Sequence, residues 1–246
     1  MATFVLVHGA FRGGWAWRRV RRHLSAAGHD VYAPSLLGAG ELAPQIGAVT
    51  GLDVWVDQVA ALIELEDLDD VILVGHSQGG LVTTSVAARI PERIAALVHL
   101  DAAVPEPGWR AVDLTPGGAP ATLPPRTAVV PPSPVLEAEH GGEHNAVTAA
   151  WLAARTTPSP VAVALDPVPA VPAEVPEHFV FFTDTPAGYP AGVVRARLAS
   201  ASHPFRLIDA GHDAPLSDPI VVAALLLELA EAPHASPHAQ RKDPTE

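Results

Sequence analysis

Short, mostly apolar runs alternate along this chain with longer stretches in which apolar residues recur every three or four positions. The runs have the length and composition of buried parallel strands, and they lie at 4–7, 30–34, 71–74, 94–100, 178–183 and 205–209. The periodic stretches predict helices at 13–27, 52–66, 81–87, 191–199 and 218–230, and a Gly-rich loop is predicted at 36–50. The alternation therefore predicts an α/β protein with a mostly parallel six-stranded sheet and helices on both faces.

The regular pattern is interrupted between residues 105 and 176, which hold 15 of the 26 prolines of the chain. Proline removes an amide donor and breaks helices and central strands, so only one helix, at 146–154, is predicted here. We interpret 105–176 as a lid inserted into a core made of residues 1–104 and 177–231. The polar tail, 232–246, is predicted to be disordered.

The most informative stretch is Gly75-His76-Ser77-Gln78-Gly79, between a β-branched apolar strand and a helical pattern. In a strand–turn–helix context the sequence Gly-x-Ser-x-Gly is typical of a nucleophile elbow. Such an elbow holds its serine in a strained conformation above the sheet, and side chains at positions 75 and 79 would collide with neighbouring backbone. The helix that follows directs amide hydrogens towards a developing anion. Ser77 is therefore predicted to be a nucleophile.

A serine nucleophile needs a histidine base that a carboxylate orients. His212 follows the last strand, the third position in the chain order Ser, acid, His. Two aspartates compete for the role of the acid. Asp101 ends the strand after the elbow and is favoured, because a carboxylate there would be costly without a partner. Asp184 ends the next strand and opens a loop in which aspartate often caps a turn. Asp213 adjoins His212 and is poorly placed to orient it.

Two backbone amides and three aromatic side chains complete the predicted site. The amide of Gln78 and an amide from the loop after the first strand, Ala10, are predicted to stabilise an oxyanion. Phe11, Trp15 and Trp151 are predicted to line an apolar substrate pocket.

Four further histidines are given no catalytic role. His8 is predicted to brace the oxyanion loop, and His76 is predicted to pack under it. His140 and His144 flank a glycine pair, which argues against the rigid helix that places two histidines on one metal. No metal and no cofactor are therefore predicted.

Composition narrows the class of partner. A formal charge of −12 argues against nucleic acid, and the longest apolar run, 220–227, is too short to span a membrane. The chain has no cysteine, hence no disulfide and no thiolate nucleophile. The first residues lack the pattern of a signal peptide. These features predict a soluble cytoplasmic protein with a small-molecule substrate; a homodimer is left open.

One basic cluster stands out against the acidic balance. It is interpreted as the solvated face of the first helix, and it comprises Arg12, Arg18, Arg19, Arg21 and Arg22.

With these residues assigned, the chain resembles the α/β-hydrolase superfamily. Within it, the sequence is similar to the branch that contains plant methylesterases, hydroxynitrile lyases and bacterial esterase-like relatives. The segments that carry the resemblance are 4–11, 14–17, 26–29, 74–80 and 211–214. The resemblance implies the fold and the catalytic order described above, and it leaves out the proline-rich segment.

Departures from related patterns narrow the expected activity. Hydroxynitrile lyases of this branch have a threonine where Gly9 stands and a lysine where Asp213 stands, so cyanohydrin cleavage is not expected. Plant members take their acid from the position of Asp184, whereas Asp101 resembles the acid of haloalkane dehalogenases, which lies one strand earlier. Those dehalogenases, and epoxide hydrolases of this fold, use an aspartate nucleophile, so Ser77 argues against both activities.

The sequence thus predicts a serine hydrolase that cleaves a small, mostly apolar carboxylic ester or lactone through an acyl-enzyme. One alternative is a cofactor-free lyase or tailoring enzyme that uses the same triad on a secondary metabolite. The other is a ligand-binding protein with slow turnover, as some plant hormone receptors of this superfamily are.

Overall fold

The computed structural model describes residues 1–115, 117–132, 146–186 and 188–231. Its main sheet consists of β1 (Thr3–Val7), β2 (Asp30–Tyr32), β3 (Val71–His76), β4 (Ile94–Leu100), β7 (Glu177–Phe182) and β8 (Arg206–Ile208). The strand order is β2-β1-β3-β4-β7-β8, and all neighbouring strands are parallel. Two short strands, β5 (Val129–Val130) and β6 (Ser159–Pro160), form a separate antiparallel pair. The predicted six-stranded parallel sheet is confirmed.

The α-helices among the described residues are α1 (Arg18–Ala26), α2 (Leu52–Leu65), α3 (Gly79–Arg89), α4 (Ala146–Ala153), α5 (Pro190–Ser200), α6 (Ala214–Ser217) and α7 (Pro219–Glu231). Short 3₁₀ helices span Gly14–Trp17, Gly40–Ala48, Pro91–Arg93, Ala111–Leu114 and Ala162–Ala164. The predicted loop at 36–50 is wrong in part, since it contains the second of these. That helix buries no side chain, so no apolar period marks it.

Helices cover both faces of the sheet because its strands are apolar on both faces. In β3, Val71 and Leu73 belong to one core cluster with residues of α2, α3 and α5. Ile72 and Val74 belong to the opposite cluster with residues of α1 and α7. All six residues of β3 are buried between β1 and β4. The elbow thus lies at the end of the most enclosed part of the sheet.

Part of the proline-rich segment packs into the core. Ala162 and Val163 are fully buried, and Val163 belongs to the cluster formed with α2, α3 and α5. The carboxylate of Asp166 also accepts a hydrogen bond, 2.9 Å long, from the amide of Leu52 at the start of α2. The interpretation of 105–176 as a lid stays a prediction, and the predicted disordered tail at 232–246 lies outside the described residues.

We expect hydrogen exchange to be faster in residues 117–132 than in β3. Most of the stretch is exposed, and its short strand β5 has a ladder of only two residues, so local opening exposes its amides at little cost. Hydrogen–deuterium exchange followed by peptide mass spectrometry measures this difference. Residues 162–168 serve as the control within the same segment, and we expect slow exchange for their buried part. Protection in 117–132 equal to that of β3 would contradict the prediction.

Candidate active site

The backbone around Ser77 has the strained geometry predicted for an elbow. Ser77 follows β3 directly and has a φ of 53°, in the left-handed region that non-glycine residues rarely adopt. A Cβ atom added to Gly75 would lie 2.9 Å from the carbonyl oxygen of Gly79, and one added to Gly79 would lie 2.6 Å from the carbonyl oxygen of Val7. The predicted need for glycine at both positions is confirmed.

Ser77, His212 and Asp101 lie in one chain of hydrogen bonds. His212 Nε2 is 3.0 Å from Ser77 Oγ, and His212 Nδ1 is 2.5 Å from Asp101 Oδ2. His212 and Asp101 are 4% and 1% exposed. Asp184 is exposed instead, and its amide donates to the carbonyl of Ala210. Of the two competing aspartates, the structure therefore brings Asp101 to the histidine.

The surroundings of Asp101 keep its carboxyl group ionised. Burial alone would raise its pKa, but hydrogen bonds and charge from His212, together with the hydroxyl of Thr185, lower the pKa below its usual value. Thr185 Oγ1 donates to Oδ2 at 2.5 Å, and the amide of Phe182 donates to Oδ1 at 3.3 Å. Sequence reasoning missed Thr185, although its position just after β7 places it at the same sheet edge.

The partners of His212 determine its tautomer. An ionised carboxylate only accepts hydrogen bonds, so the proton of the neutral ring lies on Nδ1, which donates to Asp101. Nε2 is then an acceptor that faces the hydroxyl of Ser77. This is the protonation state that a general base acting on Ser77 requires.

The loop after β1 passes directly against the elbow. A Cβ atom added to Gly9 would lie 2.7 Å from Ser77 Cβ. Phe11 in this loop has a φ of 63°, and its carbonyl accepts a hydrogen bond from Thr157 at 3.1 Å. Within the described chain, no hydrogen-bond partner is assigned to the amide of Ala10 or of Gln78. The role of these two amides in stabilising an oxyanion stays a prediction.

His8 and His76 support the site from beneath and remain neutral. His8 Nε2 accepts from the amide of Leu36, and Nδ1 donates to the carbonyl of Gly9, at 3.0 and 2.8 Å. His8 thus braces the loop after β1, as predicted. His76 Nε2 donates to the carbonyl of His212 at 2.7 Å. His76 therefore supports the His212 loop, and its ring lies 4.8 Å from that of His212. The predicted packing of His76 under the oxyanion loop stays a prediction.

We expect the free energy of unfolding to fall as the pH is lowered from about 6.5 to 5. Burial lowers the pKa of His8 to about 4 and that of His76 to about 3. Both values are below the value of 6.5 in the unfolded chain, so unfolding takes up protons in this range and becomes easier at lower pH. Each histidine contributes at most about 1.4 kcal/mol per pH unit. Urea unfolding at several pH values measures the slope.

The His8→Gln variant provides the control for this slope. It removes one of the two protonation sites, so its stability should depend on pH about half as steeply as that of the wild type. An unfolding free energy that is constant between pH 6.5 and 5 would show that His8 and His76 do not resist protonation.

A cavity of about 390 Å³ opens above Ser77 and His212. Its apolar lining includes Phe11, Ala103, Ala111, Val112, Pro132, Ala164 and Pro190. Trp15 and Trp151, predicted as lining residues, are not among its described lining. They pack edge to face on each other, with centroids 5.3 Å apart, beside a small separate apolar cluster. Tyr189, which sequence reasoning missed, lines the cavity with its ring 4.6 Å from that of His212.

The prediction that five arginines form a solvated face of the first helix is wrong for one of them. Arg12 precedes the helix, is 6% exposed and forms an ion pair with Asp213 at 2.8 Å. The reason is that Arg12 lies in the loop after β1, at the carboxyl end of the strand, and not on the helix. The other four arginines, Arg18, Arg19, Arg21 and Arg22, are exposed on α1 as predicted.

The part of the chain that the structure describes contains no group of three or more side chains suited to hold a metal. The pair considered for this role, His140 and His144, lies outside it. No helix within the described ranges is long and apolar enough to cross a membrane.

The fold and the arrangement of Ser77, His212 and Asp101 are those of an α/β-hydrolase. In agreement, residues 2–128 match the family model described as alpha/beta hydrolase fold. The chain belongs to this family.

Several individual proteins are similar to this chain in sequence or in structure. A carbendazim hydrolyzing esterase from Nocardioides sp. (strain SG-4G) is 49% identical over 120 residues, which are 49% of this chain and 50% of that protein. Salicylic acid-binding protein 2 from Nicotiana tabacum is 39% identical over 104 residues, 42% of this chain and 40% of that protein. The chain thus spans half or less of the length of these curated relatives. The crystal structure of the methylesterase MES16 from Arabidopsis superposes with a TM-score of 0.77, covering 94% of this chain and 99% of that one at 25% identity.

Proposed function

We propose that this protein is a serine hydrolase that cleaves carboxylic esters. One observation carries the proposal: a continuous hydrogen-bonded chain, Asp101–His212–Ser77, ends with the serine hydroxyl at an apolar cavity. The three groups have the roles of acid, base and nucleophile. The names of the relatives, which include esterases and methylesterases, support this activity.

In the acylation step, Ser77 Oγ attacks the carbonyl carbon while His212 Nε2 takes the hydroxyl proton. The negative charge that develops on the carbonyl oxygen is stabilised by the amides of Ala10 and Gln78. The imidazolium then donates its proton to the leaving alkoxide oxygen, and the alcohol departs. Asp101 stabilises the imidazolium throughout and is not protonated itself.

Deacylation repeats these steps with water. His212 Nε2 removes a proton from water, the hydroxide attacks the acyl carbon, and the same amides hold the second oxyanion. The proton returns to Ser77 Oγ as the ester bond to the enzyme breaks. The products are a carboxylic acid and the free serine.

The shape of the cavity supports a small, mostly apolar ester or lactone as substrate. Its volume of about 390 Å³ lies at the lower end of the usual range for small-molecule sites. The predicted lid contributes Ala111, Val112, Thr115, Pro132, Thr156 and Ala164 to the lining. Substrate selection therefore belongs largely to this segment.

The contact at Gly9 argues against the alternative of a lyase. In hydroxynitrile lyases of this branch a threonine stands at this position, but here a Cβ atom would come within 2.7 Å of Ser77 Cβ. A threonine would therefore displace either its own loop or the nucleophile. The lysine of those lyases is also replaced, by the Asp213 that pairs with Arg12.

Turnover and covalent labelling test the proposal together. We expect steady hydrolysis of p-nitrophenyl acetate and stoichiometric labelling by a fluorophosphonate, with the adduct mapped by mass spectrometry to Ser77. A panel of short-chain methyl esters and lactones then ranks substrates by kcat/KM. Labelling elsewhere, or tight ligand binding without turnover of any ester or lactone, would contradict the proposal; the second outcome would favour a ligand-binding protein.

A further inference from the structure

A buried ion pair joins the two loops that converge on Ser77. Arg12 Nη2 donates to Asp213 Oδ2 at 2.8 Å, and the two side chains are only 8% and 4% exposed. The residues are 201 positions apart in the chain. Both line the cavity that holds Ser77 and His212. The pair is therefore part of the wall of the site, although neither residue belongs to the chain of hydrogen bonds that defines it.

Each partner lies close to a group that the reaction uses. Arg12 is two residues after Ala10, whose amide is proposed to stabilise the oxyanion, and Phe11 between them holds a φ of 63°. Asp213 directly follows His212, and its carbonyl accepts the amide of Leu216 at 2.7 Å, which anchors it to α6. The ion pair between Arg12 and Asp213 therefore links the loop that carries Ala10 to the segment that carries His212.

The pair also balances charge beside the base. Among the described residues, the groups near His212 include the carboxylate of Asp101, the hydroxyl of Ser77, the ring of His76 at 4.8 Å and the ring of Tyr189 at 4.6 Å. Asp213 is its neighbour in the chain. His76 carries no charge near neutral pH because burial lowers its pKa to about 3. Asp213 is a second carboxylate in this environment, because its charge acts on the His76 ring, which lies 4.8 Å from that of His212. The Arg12 guanidinium compensates that charge.

Asp213 in turn compensates the buried arginine. Arg12 Nε is buried and has no hydrogen-bond acceptor among the described residues. A buried guanidinium without a counter-charge is strongly unfavourable, so Arg12 depends on Asp213 to stay in place.

We propose that Arg12 is a positioning residue of the reaction, which through Asp213 fixes the oxyanion loop against the His212 loop and neutralises the carboxylate beside the base. The inference rests on the proposed function, since it assigns the purpose of the pair within the same site. It extends that function by making the activity depend on two residues outside the hydrogen-bonded chain Asp101–His212–Ser77.

The directions in which two single substitutions shift the pH profile of kcat/KM test the charge balance. In Arg12→Met, Asp213 loses the guanidinium that balances its charge and favours the imidazolium, so the acid limb of the kcat/KM profile should move to higher pH by about one unit. In Asp213→Asn, the unpaired Arg12 disfavours the imidazolium, and the limb should move to lower pH by a similar amount. The double variant Arg12→Met/Asp213→Asn should return the limb to its wild-type position.

The kcat values of the same variants test whether Arg12 positions the oxyanion loop. We expect kcat to fall about 10- to 100-fold in Arg12→Met and in the double variant, with a smaller change in KM, because small misplacements of catalytic groups are costly. Arg12→Lys keeps the charge, so its acid limb should stay at the wild-type pH while kcat recovers only in part. The matched surface control is Arg206→Met, which removes an exposed ion pair of equal length with Glu228.

Each outcome decides the inference. Acid limbs that coincide in the wild type and both single variants would overturn the charge balance, and an unchanged kcat in the double variant would overturn the positioning role. Should Arg12→Met fail to fold, Asp213→Asn and the double variant still give the direction of the shift. A wild-type protein that neither turns over esters nor takes the fluorophosphonate label would instead refute the proposed function.

Discussion

The Ser77→Ala variant is expected to lose ester hydrolysis almost completely, with kcat lowered by roughly 10⁵- to 10⁶-fold. Without Oγ there is no nucleophile for His212 to activate and no acyl-enzyme. The remaining rate would come from direct attack by water on the bound ester, assisted only by the oxyanion amides and by substrate binding. The measurement is kcat with p-nitrophenyl acetate after correction for the uncatalysed reaction.

The fold should survive this change. Alanine is smaller than serine and adopts the φ of 53° at no greater steric cost, so we expect the free energy of unfolding to change by about 1 kcal/mol or less. Ser85→Ala provides a matched control, because Ser85 is a buried serine of α3 whose hydroxyl bonds to the carbonyl of Leu81, away from the cavity. That variant should retain its activity. A Ser77→Ala protein that keeps more than about 1% of the wild-type rate would place the chemistry elsewhere.

Replacing Asp101 by asparagine has the second largest expected effect, a loss of about 10⁴-fold in kcat. Asparagine has nearly the same shape but carries no charge, so it cannot stabilise the imidazolium. Its amide can also donate to Nδ1, which would move the proton of His212 to Nε2 and remove the acceptor that faces Ser77. The hydroxyl of Thr185 would keep a partner in either case.

The Asp184→Asn variant separates the two candidate acids. Asp184 is exposed and begins a turn, so its replacement should change kcat less than about threefold if it only caps that turn. Equal losses in both variants, or a larger loss in Asp184→Asn, would contradict the assignment of Asp101. The affinity label at Ser77 should also form more slowly in Asp101→Asn, since labelling depends on the same activated hydroxyl.

The periodicity of the sequence was sufficient to predict the architecture and two members of the site. Apolar runs such as 71–74 are buried on both faces, and this local property identifies them as strands of a parallel sheet. Parallel strands end at the same edge, so chain order alone brings Ser77 and His212 together. The need for glycine at positions 75 and 79 follows from the same local geometry.

Side-chain contacts between distant segments were beyond the reach of that reasoning. Trp15 and Trp151 were predicted as pocket residues on their chemistry, but the structure pairs them with each other. Arg12 was interpreted as part of a solvated face because the other four arginines of its cluster lie on α1. Its true partner, Asp213, is 201 residues away, and no local pattern encodes that distance.

The sequence by itself therefore determined the strands, the elbow and the order of nucleophile and base, because each depends on neighbours within one or two elements. Only the tertiary structure decided which of Asp101 and Asp184 reaches His212. Both follow adjacent strands, β4 and β7, at the same edge of the sheet, so position in the chain does not distinguish them. The sequence favoured Asp101 only through the cost of a carboxylate without a partner at the end of a buried strand. The difference lies in the direction of one side chain: Asp101 is buried with its carboxylate 2.5 Å from Nδ1 of His212, whereas Asp184 turns into solvent.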